Sequence, residues 1–435
     1  MIIYEKLIRI ERPIFREWEE LVCYYRNELY THSSVVRFVV AKNKCTTNHE
    51  IEDFIEIGIV KDQPRTLQPL NFATTTKQFE KRHKDFNIVF IIPTGINARI
   101  GGHSGDGGAV ARLFSSCCDN FITHPNVVNA SDINELPENG WYVEGSVLSR
   151  FLMGTIGLRR PRANRICVLV KEHEDEVITN YSINAINAAR ANMGINISVV
   201  IKAKFDMESK ILESGSGRAV GRIDLPTDVI RKLEECRNEY DVVAVTSPIY
   251  IDENIITDYF TNNNIVNPWG GCEAMLTHTL SSLLNNVQTA HSPMAFSRLE
   301  FDEVDKIGVV DPTKAAESVS VANLHCILKG LHRAPLISRK SDGDEEVLSV
   351  RDIDCIVSPV GCAGIPLLSA GINNIPVIMV EENTNLMKND MKLFPPKDDI
   401  YYAKNYLEAL GIVCAIKAGI SLDTIKRPIK ELRFV

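Results

Sequence analysis

NIVFII (Asn87–Ile92), followed at once by PTGINARIGGHSGDGG (Pro93–Gly108) and then by an apolar helical pattern, is the stretch that decides the fold. A short unbroken run of apolar, β-branched residues suits a strand buried on both faces, the condition of a covered parallel sheet. The segment after it spends its length on flexible backbone, amides, carboxylates and imidazoles, each of which needs a partner if buried. Val110, Leu113, Phe114 and Cys117 then recur at helical spacing and complete a strand, loop and helix unit.

The same rhythm continues along the chain. Asn120–Thr123, Ile166–Val170, Ile197–Ile201, Asp241–Val245, Lys306–Val310, Asp354–Val357 and Pro376–Val380 read as further strands, and Ile178, Tyr181, Ala185 and Ala188 mark a helix that stops at Gly194. The expected class is α/β, with two doubly wound, Rossmann-like lobes and a small N-terminal α+β domain. A closed barrel fits less well, because the helix lengths are irregular and two loops are broken by proline. Residues 1–84 form the small domain, with strand-like LIRI, a charged helical stretch at Phe15–Asn27 and alternation at Val35–Ala41. Residues 85–160 are expected to form the first α/β unit, 161–300 the second lobe, and 301–435 the portion that completes both. Leu158–Arg165 reads as a crossover and Lys340–Glu346 as an exposed acidic loop.

The chain has 435 residues, 45% hydrophobic and 24% charged, which supports a large core. A net charge of −8 opposes a nucleic-acid partner, whose phosphates require a basic face. No window approaches the roughly 20 apolar residues of a membrane helix. Met1–Trp18 alternates charged and apolar residues, unlike a secretory signal. Eleven cysteines, scattered and odd in number, read as small hydrophobes, as at Cys167 and Cys355. A cytoplasmic location without membrane contact is the expectation.

Ligands of α/β sheets bind beyond the carboxyl ends of the strands, where loops converge and helix N-termini present free N–H groups. The unusual residues fall there: Pro93-Thr94-Gly95, His124-Pro125-Asn126, Thr246-Ser247-Pro248, Asp311-Pro312-Thr313, Ser358-Pro359-Val360-Gly361 and Glu381-Glu382-Asn383. Gly101, Gly102, His103, Ser104 and Asp106 precede a helix and suit an anion nest, although neither the dinucleotide nor the P-loop fingerprint is present. The bland alternative is a turn with Asp106 as helix cap. His103 and Asp106 are also candidate ligands for a divalent metal ion as cofactor. His124, with Asp132 and Glu135 three apart, is the candidate acid/base group, against the alternative that Ser131 or Asp132 merely caps a helix. Asn126 and Asn129 join it as binding groups.

Gly271 and Glu273 open a helix with a Leu276, Leu280 and Leu283 stripe that either packs on its own sheet or faces a partner subunit. His278 projects off that stripe, and His291 in the polar TAHSPM is a further strand-end candidate. Cys362, in the glycine-rich SPVGCAGIPLLSA, stands where a helix dipole favours a thiolate, and paired with Cys272 it suits a two-thiol racemase. Arg99, Arg112 and Arg150 are candidates to add positive charge.

The motifs PTGINARIGGHSGDGG, HPNVVNASDINELPENGWYVEGSVLSRFLMGTIGL, GGCEAMLTHTLSS with TAHSPM, and SPVGCAGIPLLSAGINNIPVIMVEEN together resemble domain-of-unknown-function family 3326, from about Asn87 to Lys388. That resemblance implies no activity and carries no catalytic residues. The expected function is an enzyme acting on a small anionic metabolite, carboxylated or phosphorylated, by acid/base transferase, lyase or isomerase chemistry, with a homo-oligomer possible. The alternatives are a non-catalytic metabolite sensor and a His/Asp metalloenzyme.

Overall fold

The computed structural model describes residues 1–435 except 30, 31, 33, 47–48, 65–83, 129–135, 211–213, 263–264, 285–286, 296–307, 320–322, 339–345, 430, 433 and 435. The fold is mixed α/β. Three larger sheets dominate it, two wholly parallel and one antiparallel.

The six-stranded parallel sheet runs in the order Ile400–Ala403, Val377–Val380, Ile353–Pro359, Asn87–Phe90, Asn120–Thr123 and Gly140–Tyr142. The four-stranded one runs Gln288–Pro293, Val242–Ser247, Ile166–Lys171 and Ile197–Ala203. The apolar runs that predicted strands therefore do form them, with one exception. Lys306 and Ile307 lie outside the described residues, and Gly308–Val310 are not a strand.

The antiparallel sheet is ordered Asp206–Lys210, Val220–Asp224, Ile2–Arg12, Ile51–Lys61, Val35–Cys45 and Ala363–Gly364. Sheet membership thus does not follow chain order: the first 61 residues are completed by strands from the middle and the end of the chain. The six-stranded sheet likewise joins residues 87–142 to residues 353–403.

Side-chain alternation explains how the sheets meet. Ile88 and Phe90 face a cluster shared with Val168 and Ala244 of the other parallel sheet, whereas Val89 and Ile91 face one shared with Phe38 and Ile57 of the antiparallel sheet. Cys167 and Leu169 turn to a third cluster with Ile3 and Met207. Each pair of sheets shares one core, and strands buried on both faces need continuous apolar sequence. Helices contribute to the clusters on both faces of each parallel sheet, Phe114 and Val413 on one side and Phe151 and Leu368 on the other for the six-stranded sheet, Ile186 and Leu328 against Leu233 and Leu280 for the four-stranded one.

Helix Gly270–Leu283 lies inside this arrangement, with Leu276, Leu280 and Leu283 in the third cluster. Its stripe is internal and does not face a partner subunit. Among the described residues no helix is long and apolar enough to cross a membrane. All eleven cysteines are free thiols.

Candidate functional site

A cavity of ≈ 220 Å³ opens at the carboxyl ends of the six-stranded sheet, between it, the antiparallel sheet and helix Gly270–Leu283. Of the residues expected at a site, Thr94, Ser104, His124, Asn126, Glu273, His291, Ser358 and Cys362 line it. Gly101, Gly102, His103, Asp106, Ser247, Gly271 and Gly361 do not, and Asn129, Asp132 and Glu135 lie outside the described residues.

The glycine-rich loop proves to be a braced support. Gly101, at φ 78°, donates its N–H to Asp106 Oδ2 at 2.8 Å, so Asp106 closes the loop and does not cap helix Gly108–Ser115. Asn383 clamps Ile100 from both sides, accepting its N–H at 2.8 Å and donating to its carbonyl at 2.9 Å. Asn126 donates to the carbonyls of Ile92 and Gly101 at 2.7 and 3.1 Å. A Cβ on Gly102 would overlap the Ala98 carbonyl oxygen, so that glycine is required by close backbone approach. His103 bonds Tyr259 through Nδ1 at 2.8 Å. His103 and Asp106 thus both have other partners. Among the described residues no group of three His, Cys, Asp or Glu stands together to hold a metal.

Two carboxylate–imidazole pairs converge on helix Gly270–Leu283. The first joins His278 Nδ1 to Glu144 Oε1, and Glu144 Oε2 also accepts the Ser146 hydroxyl at 2.5 Å and the N–H groups of Ser146 and Val147 at 2.9 and 3.1 Å. These last two bonds cap helix Gly145–Leu152. Burial pushes the Glu144 carboxyl up, but the His278 charge and the hydrogen bonds from His278 and Ser146 outweigh it and bring the pKa to about 2. A carboxylate only accepts, so His278 keeps a proton on Nδ1, and in its neutral form Nε2 is the basic nitrogen. Gly145 packs against the Cε1 and Nε2 edge of that ring, with no room for a side chain.

In the second pair, His291 Nδ1 meets Glu273 Oε1 at 3.1 Å and Nε2 meets the Ser247 hydroxyl at 2.9 Å. Glu273 is a quarter exposed towards the cavity while His291 and Ser247 are buried. His291 is therefore a residue within strand Gln288–Pro293, and Ser247 acts behind it, fixing its ring.

His124 accepts the Ile92 N–H on Nε2 at 3.2 Å, which leaves its proton on Nδ1. Burial, and then the neighbouring His278 charge, lower its pKa to about 4, so it is neutral at pH 7. Glu317, on helix Pro312–Val319, accepts from Tyr259 at 2.6 Å and Asn267 at 3.0 Å, and burial raises its carboxyl to about 7.

The positive charge comes from residues other than those expected. Arg37 and Arg218 line the cavity, whereas Arg99 and Arg112 are exposed elsewhere and Arg150 is buried outside the lining. Arg218 contacts Glu5 at 3.3 Å and the Gly271 carbonyl at 2.9 Å, yet its Nε has no partner. Arg37 pairs with Glu5 at 2.9 Å and Glu56 at 3.5 Å. An arginine inside the apolar run VVRFVVA was the sequence signal for Arg37; Arg218 and Glu317 had none.

The two-thiol arrangement does not form. Cys362 lines the cavity but precedes helix Ile365–Asn373 by several residues, and burial pushes its thiol up to about 12. Cys272, outside the lining, bonds the Glu208 carbonyl at 3.4 Å, and burial raises it likewise to about 12. Neither is poised as a thiolate. Gly271 is small because helix Gly270–Leu283 starts against the Ala219 carbonyl, and Gly361, at φ 76°, turns the chain after strand Ile353–Pro359.

Fold and site define a mixed α/β chain with a cavity of paired acid/base groups and buried arginines. The chain belongs to the family described as Protein of unknown function (DUF3326), which matches residues 87–426. Over 341 residues it is 29% identical to an uncharacterized lipoprotein of Synechococcus sp. (strain ATCC 27144 / PCC 6301 / SAUG 1402/1), covering 78% of this chain and 92% of that protein. The lipoprotein name of that relative overturns the expected cytoplasmic location. No solved structure matches the chain.

Proposed function

We propose that the chain is an enzyme that moves protons on a small anionic metabolite, by transferase, lyase or isomerase chemistry, with its parallel sheets as Rossmann-like lobes around the cavity. The observation behind this reading is that His278, oriented by Glu144, and Glu273, oriented by His291, line one hollow with Arg37 and Arg218. Arg218 and Arg37 hold the anionic group. His278 Nε2 takes a proton, and Glu144 stabilises the imidazolium so formed. His124 Nδ1 donates to the oxygen where charge develops, and Glu273 serves as a second proton acceptor. Phe38, Ile91, Ile365 and Met379 supply an apolar wall that strengthens each electrostatic contact. The relative's name supports placing the chain at a membrane surface.

The test is incubation of the purified chain in D2O with a panel of 2-oxo, 2-hydroxy and 2-amino acids and phosphate monoesters, followed by NMR. Solvent deuterium should enter at least one compound. His278→Ala should slow that exchange by about 100-fold or more while the compound still binds, and Arg218→Ala should weaken binding by about tenfold or more. Exchange at an unchanged rate in His278→Ala, or no exchange in any compound, overturns the reading.

A further inference from the structure

Among the described residues of the segment from Ser421 to Phe434, most of the large apolar side chains are exposed. Leu422 packs against the core, but beyond it Ile425, Ile429, Leu432 and Phe434 are 56%, 53%, 81% and 91% exposed. Thr424 N–H bonds Ser421, Lys426 N–H bonds Leu422 and Arg427 Nη1 bonds Thr424, all three within the segment. Helix Leu422–Ile425 has no buried residue of its own. Four large apolar side chains facing water within ten positions are what an interaction surface leaves uncovered in the free chain.

The charge of the segment says what covers it. In the sequence of this stretch Lys426, Arg427, Lys430 and Arg433 outnumber Asp423 and Glu431, so it is basic in a chain whose net charge is −8. The complement is therefore acidic and apolar. The same chain displays such a surface at the start of helix Glu176–Met193, where Glu174, Glu176, Val177 and Tyr181 are exposed together, the last two at 50% and 49%. Apolar anchors fill a patch and opposite charges set its orientation, as in ordinary subunit interfaces.

We propose that Ser421–Phe434 is an arm that docks on a second copy of this chain, its apolar side chains seated among acidic surface groups. The arm is rooted by Leu422 and carried by helix Tyr406–Lys417, so its departure from the body is fixed while its contacts are supplied by the partner. This places the homo-oligomer contact on the arm and not on the internal leucine stripe.

Sedimentation velocity on the full chain, at protein concentrations up to roughly 100 μM, is the experiment. The unaltered chain should sediment as a dimer or larger, and the triple variant Ile429→Asp, Leu432→Asp, Phe434→Asp as a monomer with the same circular-dichroism melt. The charge reversal Lys426→Glu, Arg427→Glu should raise the dissociation constant by about tenfold or more, and added salt should do the same in the unaltered chain. A monomeric full chain overturns the proposal, as does a triple variant that associates as strongly as the parent. Flotation of a monomeric full chain with phosphatidylcholine vesicles containing phosphatidylglycerol, lost in the triple variant, also overturns it and assigns the arm to an anionic membrane.

Discussion

His124 sits buried at the carboxyl end of strand Asn120–Thr123 with the Ile92 N–H on its Nε2. Its pKa is about 4 in the folded chain against 6.5 for the free side chain, so the unfolded chain binds the proton more readily. Its contribution to stability is therefore intact above pH 6.5 and is lost as pH falls towards 4, by about 3 kcal/mol over the full window. His103, also lowered to about 4 by burial, acts in the same sense. Glu144, held at about 2, adds its loss only between pH 4.5 and 2. Glu317 has the opposite sign: raised to about 7, it favours the folded chain below pH 4.5 and less so as pH rises through 7. Urea unfolding of His124→Gln from pH 7 to pH 4 should accordingly show a shallower acid limb than the parent, by about 3 kcal/mol in total. An identical limb would show that His124 is not the neutral group described. At this scale His124 and His291 were readable as polar residues bordering apolar strands, and Glu273 as a carboxylate in the first turn of a helix. Arg218 was not, because nothing in its local sequence distinguishes a buried guanidinium from an exposed one.

At the scale of elements, close approach decides more than propensity. Gly371 lies within helix Ile365–Asn373, where alanine would ordinarily be better by about 1 kcal/mol. A Cβ there would overlap the Trp18 ring of helix Trp18–Leu29. Gly371→Ala should therefore destabilise, by about 1 to 3 kcal/mol, and Trp18→Leu in the same chain should relieve part of the loss. Urea denaturation of the two single variants and the double variant measures this, and a more stable Gly371→Ala would refute the packing. The glycine-rich loop gives the same lesson. Its composition announced a special backbone, but its glycines serve a loop fastened by Asp106, Asn126 and Asn383, and the cavity-facing chemistry comes from neighbouring elements. Helix Gly270–Leu283 was recognised from its leucines, and its N-terminal position for Glu273 followed. That His278 would meet Glu144 depends on two elements far apart in sequence, which no periodicity encodes.

At the scale of the whole molecule, each pair of the three sheets shares a hydrophobic cluster, so no sheet is independent of the other two. The segment that matches the family, residues 87–426, lacks strands Ile2–Arg12, Val35–Cys45 and Ile51–Lys61. Produced alone, it would expose one side of two clusters and leave strand Val220–Asp224 without its neighbour Ile2–Arg12. It should show no cooperative thermal transition by calorimetry, whereas the full chain should; a sharp transition in the segment would mean that the antiparallel sheet is dispensable.

The amino-acid order by itself determined the α/β class, most of the parallel strands and the clustering of reactive groups at strand ends, because burial on both faces and helical spacing are written in neighbouring residues. Only the tertiary structure decided that the antiparallel sheet recruits strands from three parts of the chain, that Glu144 orients His278, and that Arg37 and Arg218 supply the charge. Those outcomes depend on contacts between residues far apart in the sequence, whose energy arises when water is excluded from a shared cavity and has no local signature.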